Sequence, residues 1–276
     1  MKTILYSSAR ELGDYSIPKL LQRLRDNREL IIRLVKRDIN VRYRQSVLGY
    51  VWALLPQIAT VAIFSFLASR RIFPMGDSDL PYIVHALLSV SGRQLFSVIL
   101  VNCTNSLVHA GALVTKVNFA KESLVFAAVG VPVLDFLIRL APVVLVFVWL
   151  GFVPSSSSIL IPLALIPIIL LALGLGLLFS ILNLLVRDIG NALSMALTFG
   201  IFVAPILYPP PVTAPYNLVN ILNPFSPMLI TTQNLLSGAP LQLPWMLLLT
   251  SALSILVFFA GWKVFCITMP RIAERA

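Results

Sequence analysis

Long apolar stretches separated by short polar segments dominate the pattern along this chain. A helix needs about 20 apolar residues to cross the ~30 Å hydrocarbon core of a membrane. Six stretches are long enough, and they run from 47 to 68, 82 to 108, 124 to 150, 159 to 185, 191 to 208 and 244 to 267. The pattern therefore predicts an all-α polytopic membrane protein, whose residues 47–276 form one domain with six transmembrane helices.

Residues 18–44 show a different pattern, because aliphatic side chains recur there at helical spacing against a basic face. This stripe consists of Leu20, Leu24, Ile31, Val35 and Ile39. Such a pattern is typical of an amphipathic helix lying in the headgroup plane. Asp26-Asn27 interrupts the stripe, so we predict two short helices, the second beginning near Arg28. The alternative for this N-terminal region, residues 1–46, is a solvated basic arm.

Residues 209–243 are too apolar for an aqueous loop and too rich in proline for one continuous helix. Two short helices, near 216–222 and 226–236 with a break at Asn223-Pro224, would let the chain dip into the outer leaflet and return. Irregular backbone at that depth is tolerated only when it is buried in protein or faces a water-filled cavity. We therefore predict a re-entrant element over about 209–238, which points to a translocation path. A flat extracellular cap is the alternative.

Composition and charge agree with a membrane protein and give its orientation. Hydrophobic residues make up 58% of the chain, charged residues 12%, and the mean hydropathy is +0.92; soluble domains carry about 25% charged residues. Eleven of the 21 lysines and arginines precede residue 45, which places the N-terminus in the cytoplasm. Six crossings return the C-terminus to the same side of the cytoplasmic membrane. No apolar h-region precedes residue 47, so we expect no cleavable signal peptide.

Few residues point to catalysis or to a bound group. The net charge of +10 comes without an RNA- or DNA-binding signature, so anionic lipid headgroups are the expected partner and nucleic acid is not. The chain lacks a phosphate-binding loop and the common hydrolase and metal motifs. His85 and His109 lie at opposite ends of the second stretch, and the two cysteines lie far apart in apolar surroundings. We expect no catalytic residue, metal site or disulfide, so the energy for transport must come from a partner or an ion.

Three charges lie inside the predicted membrane helices: Arg93, Asp135 and Arg139. A charge at the centre of a span costs a few kcal/mol and needs a partner or water. Asp135 precedes Arg139 by four residues, which is a favourable pairing direction. A cluster of all three would carry a net charge of +1 and line a route for an anionic group such as a phosphate. The alternative is that these charges only fix helix packing, or that Arg93 reaches outward to the interface.

Several motifs together resemble a known family. Residues 37–53, RDINVRYRQSVLGYVWA, run directly into the first predicted span, and their spacing of basic residues, Leu-Gly and Trp is quite specific. This resembles the permease subunits of ABC-2-type polysaccharide exporters, which move O-antigen, capsule or teichoic-acid chains. Further matches in the family's order are Asn105, KVNFAKE at 116–122, RDI at 187–189, PILY at 205–208 and NPF at 223–225. The chain departs from the family at Ala120, where proline is common, and at Arg93, where the family is usually uncharged.

The resemblance implies a homodimer of six-span subunits that pairs with two separate ATPase subunits, on which ATP and Mg would be bound. Residues 18–44 look like an interface helix followed by a gate helix, whose entrance residues are Arg37, Asp38, Arg42 and Arg44. The basic ones among these would meet the lipid pyrophosphate at the entrance, or would only anchor the topology. Residues 111–123 look like the coupling helix that touches the ATPase. Its expected contact residues are Val114, Lys116, Phe119, Lys121 and Glu122. The alternative for this amphipathic segment is a charged turn that ends a membrane helix.

The function implied by this resemblance is ATP-driven export of a lipid-linked polysaccharide. Sugars stack on aromatic rings without a fixed register, so we expect aromatic side chains along the path. The candidates are Phe64, Phe66, Phe199, Phe202, Tyr208, Tyr216 and Phe225. The alternative for each is a lipid-facing or core position, which is where most aromatics in membrane spans lie. One alternative is an ABC-2 exporter of a drug or small lipid, with a less aromatic path. Another is a membrane-embedded lipid or glycosyl transferase with Asp135 as its base, which the lack of a paired catalytic acid disfavours.

Overall fold

The regular structure of the described residues is helical throughout, as the apolar pattern predicts. The computed structural model describes residues 16–44, 51–70, 81–111, 119–200, 223–240 and 244–273. The helices are α1 (Ile17–Asp26), α2 (Arg28–Tyr43), α3 (Val51–Ser69), α4 (Tyr82–Ala110), α5 (Glu122–Ala127), α6 (Gly130–Leu150), a 3-10 helix (Ser156–Leu160), α7 (Ile161–Leu185), α8 (Asp188–Phe199), α9 (Phe225–Ser237) and α10 (Pro244–Ala273). The all-α class is therefore confirmed for this part of the chain.

Within the described ranges, four helical segments are long and apolar enough to cross a membrane. They are Tyr82–Ala110, Glu122–Leu150, Ser156–Leu185 and Pro244–Ile272, and each coincides with a predicted stretch. The first predicted stretch coincides with α3, and the fifth begins within α8. Residues 47–50 and 201–208 of those two stretches lie outside the described part, so the structure supports a multi-pass membrane protein with four candidate spans there.

The centre of the bundle is formed by α4, α7 and α10. Helix α7 packs along both of the others, and the buried side chains between them include Ile99, Leu177 and Trp262. Glycines bring α7 and α10 into unusually close contact, because a Cβ at Gly261 would lie 2.4 Å from the Gly174 carbonyl oxygen. Small residues allow such backbone approach, which is a common way for membrane helices to associate.

The N-terminal residues form two short helices with a break at Asn27, as predicted. The Asn27 side-chain amide donates to the Arg23 carbonyl oxygen at 2.8 Å, which closes the end of α1. Leu20 anchors α1 in the core, whereas α2 has no buried residue. Helix α2 lies against α5 and α6, where a Cβ at Gly130 would collide with Val35. We call the end of the bundle formed by α1, α2, α5 and the start of α6 the basic end.

Candidate functional site

A buried carboxylate on α6 forms the centre of the strongest polar cluster at the basic end. Asp135 is 0% exposed, and its oxygens face the last turn of α2. The Tyr43 hydroxyl donates a hydrogen bond to Asp135 Oδ1. The Arg42 Nη2 atom lies 3.0 Å from Asp135 Oδ2 in an ion pair. Arg139, one turn further along α6, is also buried and interacts electrostatically with both Asp135 and Arg42. We call these four residues the Asp135 cluster.

Burial and the neighbouring carboxylate keep the Tyr43 phenol of the Asp135 cluster protonated. Burial raises the pKa of Tyr43 to about 12, and the hydrogen bond to Asp135 acts in the same direction. The phenol therefore remains a donor at every physiological pH. With one carboxylate and two guanidinium groups, the cluster carries a net charge of +1. An anion that approaches Arg42 therefore meets a net positive charge. The Asp135 carboxylate already interacts with Tyr43 and with both arginines.

A cleft opens beside the Asp135 cluster, between α2, the last turns of α4, and α5 with the start of α6. Its volume is about 440 Å³, and we call it the basic cleft. Its polar lining residues are Arg37, Asp38, Arg42, Asn102, Ser106 and His109. Arg37 pairs with its neighbour Asp38 at 2.8 Å, whereas the Arg42 side chain is 43% exposed although it contacts Asp135. Arg44 ends α2 on the exposed surface and does not line the cleft. The cleft is therefore suited to a phosphate-sized anion that reaches Arg42.

The structure divides the three predicted intramembrane charges between two places. Asp135 and Arg139 lie together on α6, as their spacing indicates. Arg93, however, donates through Nη2 to the carbonyl oxygen of Leu197 and, at 3.4 Å, to that of Thr198. These carbonyls belong to the last turn of α8, where a cation offsets the negative end of the helix dipole. The expectation of one cluster of three is wrong in this structure, because the partners of Asp135 come from α2, an amphipathic helix, instead of from α4.

Helices α8 and α9 meet α4 at almost the same level. Arg93 bonds to the end of α8, and the Phe96 ring packs on Phe225, the first residue of α9, with centroids 5.5 Å apart. Further along α9, the Gln233 amide donates to Ser89 at 2.7 Å, so α9 runs antiparallel to α4. At a rise of about 1.5 Å per residue, the level of Arg93 to Phe96 lies roughly 16–21 Å from the start of α4.

The expected coupling residues fall partly within the described ranges. Phe119 is half-buried against the hydrophobic core, and Lys121 immediately precedes α5. Glu122, the first residue of α5, lies near Arg23 of α1 and interacts with it electrostatically. Val114 and Lys116 lie outside the described residues. Of the described residues in this segment, Lys121 is therefore the one best placed for an external contact.

The expected path aromatics also occupy different environments. Phe66 on α3 and Phe199 at the end of α8 are exposed, whereas Phe225 is buried in the core of the subunit. Phe64 lies in α3, but its side chain is outside the described part, as are Phe202, Tyr208 and Tyr216. Phe66 and Phe199 are thus available to a neighbouring molecule, and Phe225 instead joins α9 to α4.

Sequence reasoning missed several buried polar side chains that join the helices. Gln57 of α3 donates to Ser91 of α4 at 2.9 Å, and Asn183 of α7 donates to Asn105 of α4 at the same distance. The backbone amide of Gly190 in turn donates to Asn183 Oδ1 at 2.8 Å. An isolated amide in an apolar helix was the available signal, because it needs a partner in hydrocarbon. The sequence does not identify the residue with which such an amide bonds, however. Among the described residues, His, Cys, Asp and Glu side chains form no group of three that suits a metal ion.

Comparison with known proteins identifies relatives along most of the chain. The sequence matches no model of a known protein family. It is 25% identical over 252 residues to the O-antigen export system permease protein RfbA of Klebsiella pneumoniae, covering 89% of this chain and 94% of the relative. A protein of the same description from Myxococcus xanthus is 25% identical over 258 residues, covering 90% and 95%. The resemblance to the permease subunits of ABC-2-type polysaccharide exporters is therefore confirmed over most of the length of the chain.

Proposed function

We propose that this chain is the transmembrane permease subunit of an ABC exporter that carries a lipid-linked polysaccharide across the cytoplasmic membrane. Two copies form the pathway, and two separate ATPase subunits bind ATP and Mg and supply the energy. The observation that carries this proposal is the similarity to O-antigen export permeases over nearly the full length of both chains. The four apolar helices that suit membrane crossing support it.

The proposed architecture has six crossings and a re-entrant element on the outer side. Helix α8 ends, and α9 begins, beside the same turn of α4. That level lies near the middle of α4, which has 29 residues and is one of the proposed spans. The chain between α8 and α9 therefore starts and finishes at mid-depth, which supports a re-entrant element in place of a surface cap. Helix α9 is buried on nearly all sides, and its side chains Thr231, Thr232 and Gln233 bond to protein atoms, as polar groups at that depth require.

The basic cleft is the proposed cytoplasmic entrance for the lipid pyrophosphate. Arg37 and Arg42 line it, and Arg44 lies on the adjoining surface of α2. Guanidinium groups bind phosphate oxygens with two parallel hydrogen bonds, so they suit such a headgroup. The neighbouring apolar residues Leu34 and Val41 provide a surface for the start of the lipid chain.

The proposed coupling contact with the ATPase lies in residues 111–123. Replacing Lys121 with glutamate reverses the charge of a half-exposed side chain next to α5, and the same change at Lys116 extends the test. We expect both changes to weaken ATPase binding and to separate ATP hydrolysis from export. Lys263→Glu is the matched control, since Lys263 is an exposed lysine on α10 and does not belong to this segment. Unchanged coupling in both coupling variants would remove this contact from the proposal.

The whole proposal is tested by deleting this chain in cells that make the polysaccharide. We expect lipid-linked polymer to accumulate on the inner side of the membrane and the surface polymer to disappear, with both restored by the intact chain. The protein should also co-purify with an ATPase subunit. Export of a small lipid or drug with no effect on polymer would favour the alternative exporter class instead.

A further inference from the structure

The Arg42 side chain takes part in two features at once, and this double role has a functional consequence. It is the ion-pair partner of the buried Asp135 carboxylate, and it lines the basic cleft. Its side chain is 43% exposed, whereas Asp135 is fully buried. A ligand in the cleft can therefore reach Arg42 without entering the protein core, but it cannot reach Asp135 directly.

The carboxylate retains other partners if Arg42 leaves it. Tyr43 donates to Oδ1, and Arg139 interacts with Asp135 from the same helix. Removing the last cation from a buried carboxylate is strongly unfavourable, because an uncompensated buried charge remains. Here the buried Arg139 stays near Asp135. The move of Arg42 from Asp135 to another anion therefore avoids that penalty. A phosphate or diphosphate, with more negative charge than one carboxylate, competes well for a guanidinium group.

The contacts of α2 show what such an exchange would release. Helix α2 has no buried residue, and it follows directly on the break at Asn27. The ion pair and hydrogen bond from Arg42 and Tyr43 to Asp135 hold its last turn, and Val35 packs on Gly130 in its middle. The Asp135 contacts thus tie the end of α2 to the membrane helix α6, and weakening them leaves that end less firmly attached.

We propose that the Arg42–Asp135 pair is a ligand-sensitive latch: a phosphate or diphosphate group in the basic cleft takes Arg42 from Asp135 and loosens the end of α2 from α6. This inference rests on the proposed function, because it deepens the role of the entrance. It goes beyond that role, since the arginine that binds the anion also weakens the contact between α2 and α6 when it does so. A site without a latch would instead bind the anion and hold α2 more firmly.

Binding and hydrogen exchange of the full-length protein in lipid nanodiscs test the latch. The probes are geranylgeranyl diphosphate, inorganic pyrophosphate and geranylgeraniol. We expect a diphosphate to bind and to increase amide exchange in residues 36–43 of the wild-type protein, whereas geranylgeraniol has no such effect. Binding of the prenyl diphosphate alone identifies a lipid headgroup as the source, and equal binding of inorganic pyrophosphate identifies a free phosphate compound. Either result, with increased exchange, supports the latch.

Two variants separate the latch from the entrance site. Asp135→Asn leaves Arg42 without its competitor, so the diphosphate should bind about fivefold to tenfold more tightly, and residues 36–43 should exchange quickly without ligand. Arg42→Gln should weaken binding by a similar factor. Arg33→Gln is the matched control, since Arg33 is exposed on the same helix and does not line the cleft.

The failures of the two proposals are distinguishable. Binding that slows exchange in residues 36–43 or leaves it unchanged, or that is not tightened in a folded Asp135→Asn variant, overturns the latch and leaves the entrance intact. If no diphosphate binds the wild-type protein, both the entrance and the latch are wrong. Because the exchange measurement uses the wild-type protein, a poorly folded Asp135→Asn variant does not prevent a decision.

Discussion

Individual polar side chains determine how this largely apolar chain joins its helices. Asp135 is buried, yet it bonds to Tyr43, which lies 92 residues earlier in the sequence. Asn183 similarly bonds both to Asn105 and to the Gly190 amide. In hydrocarbon a polar group without a partner is costly, so each of these contacts favours one arrangement of helices over its alternatives.

Replacing Tyr43 with phenylalanine tests the hydrogen bond to Asp135. We expect a loss of about 1.5–3 kcal/mol in unfolding free energy, typical of a hydrogen bond to a charged group. Because the pKa of Tyr43 is raised to about 12 from 10.0, its stabilising contribution is complete below pH 10 and is lost as the pH rises through about 12. Thermal unfolding in detergent between pH 6 and 9 should show a constant difference between variant and wild type. A difference that varies across this range would contradict the assignment.

A methyl group at Gly190 tests the contact between α4, α7 and α8. The new Cβ would lie 2.6 Å from Asn105 Oδ1 and 3.1 Å from Asn183 Oδ1. We expect Gly190→Ala to lower the unfolding free energy by about 1–3 kcal/mol, as overpacking does. Gly200→Ala is a close control, because a Cβ there meets nothing within 4 Å. Equal thermal stability of the two variants would show that the space around Gly190 is not limiting.

At the level of helices, the sequence predicts existence and type better than it predicts contacts. The 3.6-residue pattern and the Asp26-Asn27 break correctly gave two N-terminal helices, and Asn223-Pro224 correctly preceded α9. These features are local, so periodicity and proline reveal them. The pairing of α2 with α6, and of Arg93 with α8, depends on residues far apart in the sequence. Apolar patterns carry no information about such pairs.

The end of α8 provides the clearest test at this level. Arg93→Met removes the donor to the Leu197 and Thr198 carbonyl oxygens. We expect a loss of about 2 kcal/mol, since one good bond from a charged donor contributes about 1.5–3 kcal/mol and the 3.4 Å contact to Thr198 adds little. Arg93→Lys keeps the positive charge beside the helix end and should restore part of the stability. Thermal unfolding of the three proteins in detergent measures this order, and equal loss in the lysine and methionine variants would exclude the charge as the cause.

The whole molecule separates into two ends of different character, and this asymmetry is open to direct measurement. Helices α1, α2 and α5 lie with the ends of α4 and α10 at the basic end, while Val153 and the 3-10 helix lie at the other. The concentration of basic residues before residue 45 predicts that the basic end faces the cytoplasm. The folded structure thus predicts opposite sides of the membrane for two exposed positions, Asn40 and Val153.

Cysteine labelling tests this orientation in the intact membrane. A membrane-impermeant maleimide should label Val153→Cys in intact spheroplasts and label Asn40→Cys only after the membrane is opened. The native Cys103 and Cys266 are both buried, so the unaltered protein should remain unlabelled and serves as the blank. Because the helices fix both positions at opposite ends of one bundle, the two variants must respond in opposite ways. Labelling of Asn40→Cys in intact spheroplasts would reverse the orientation and move the basic cleft to the outer face, where a substrate made inside the cell does not meet it.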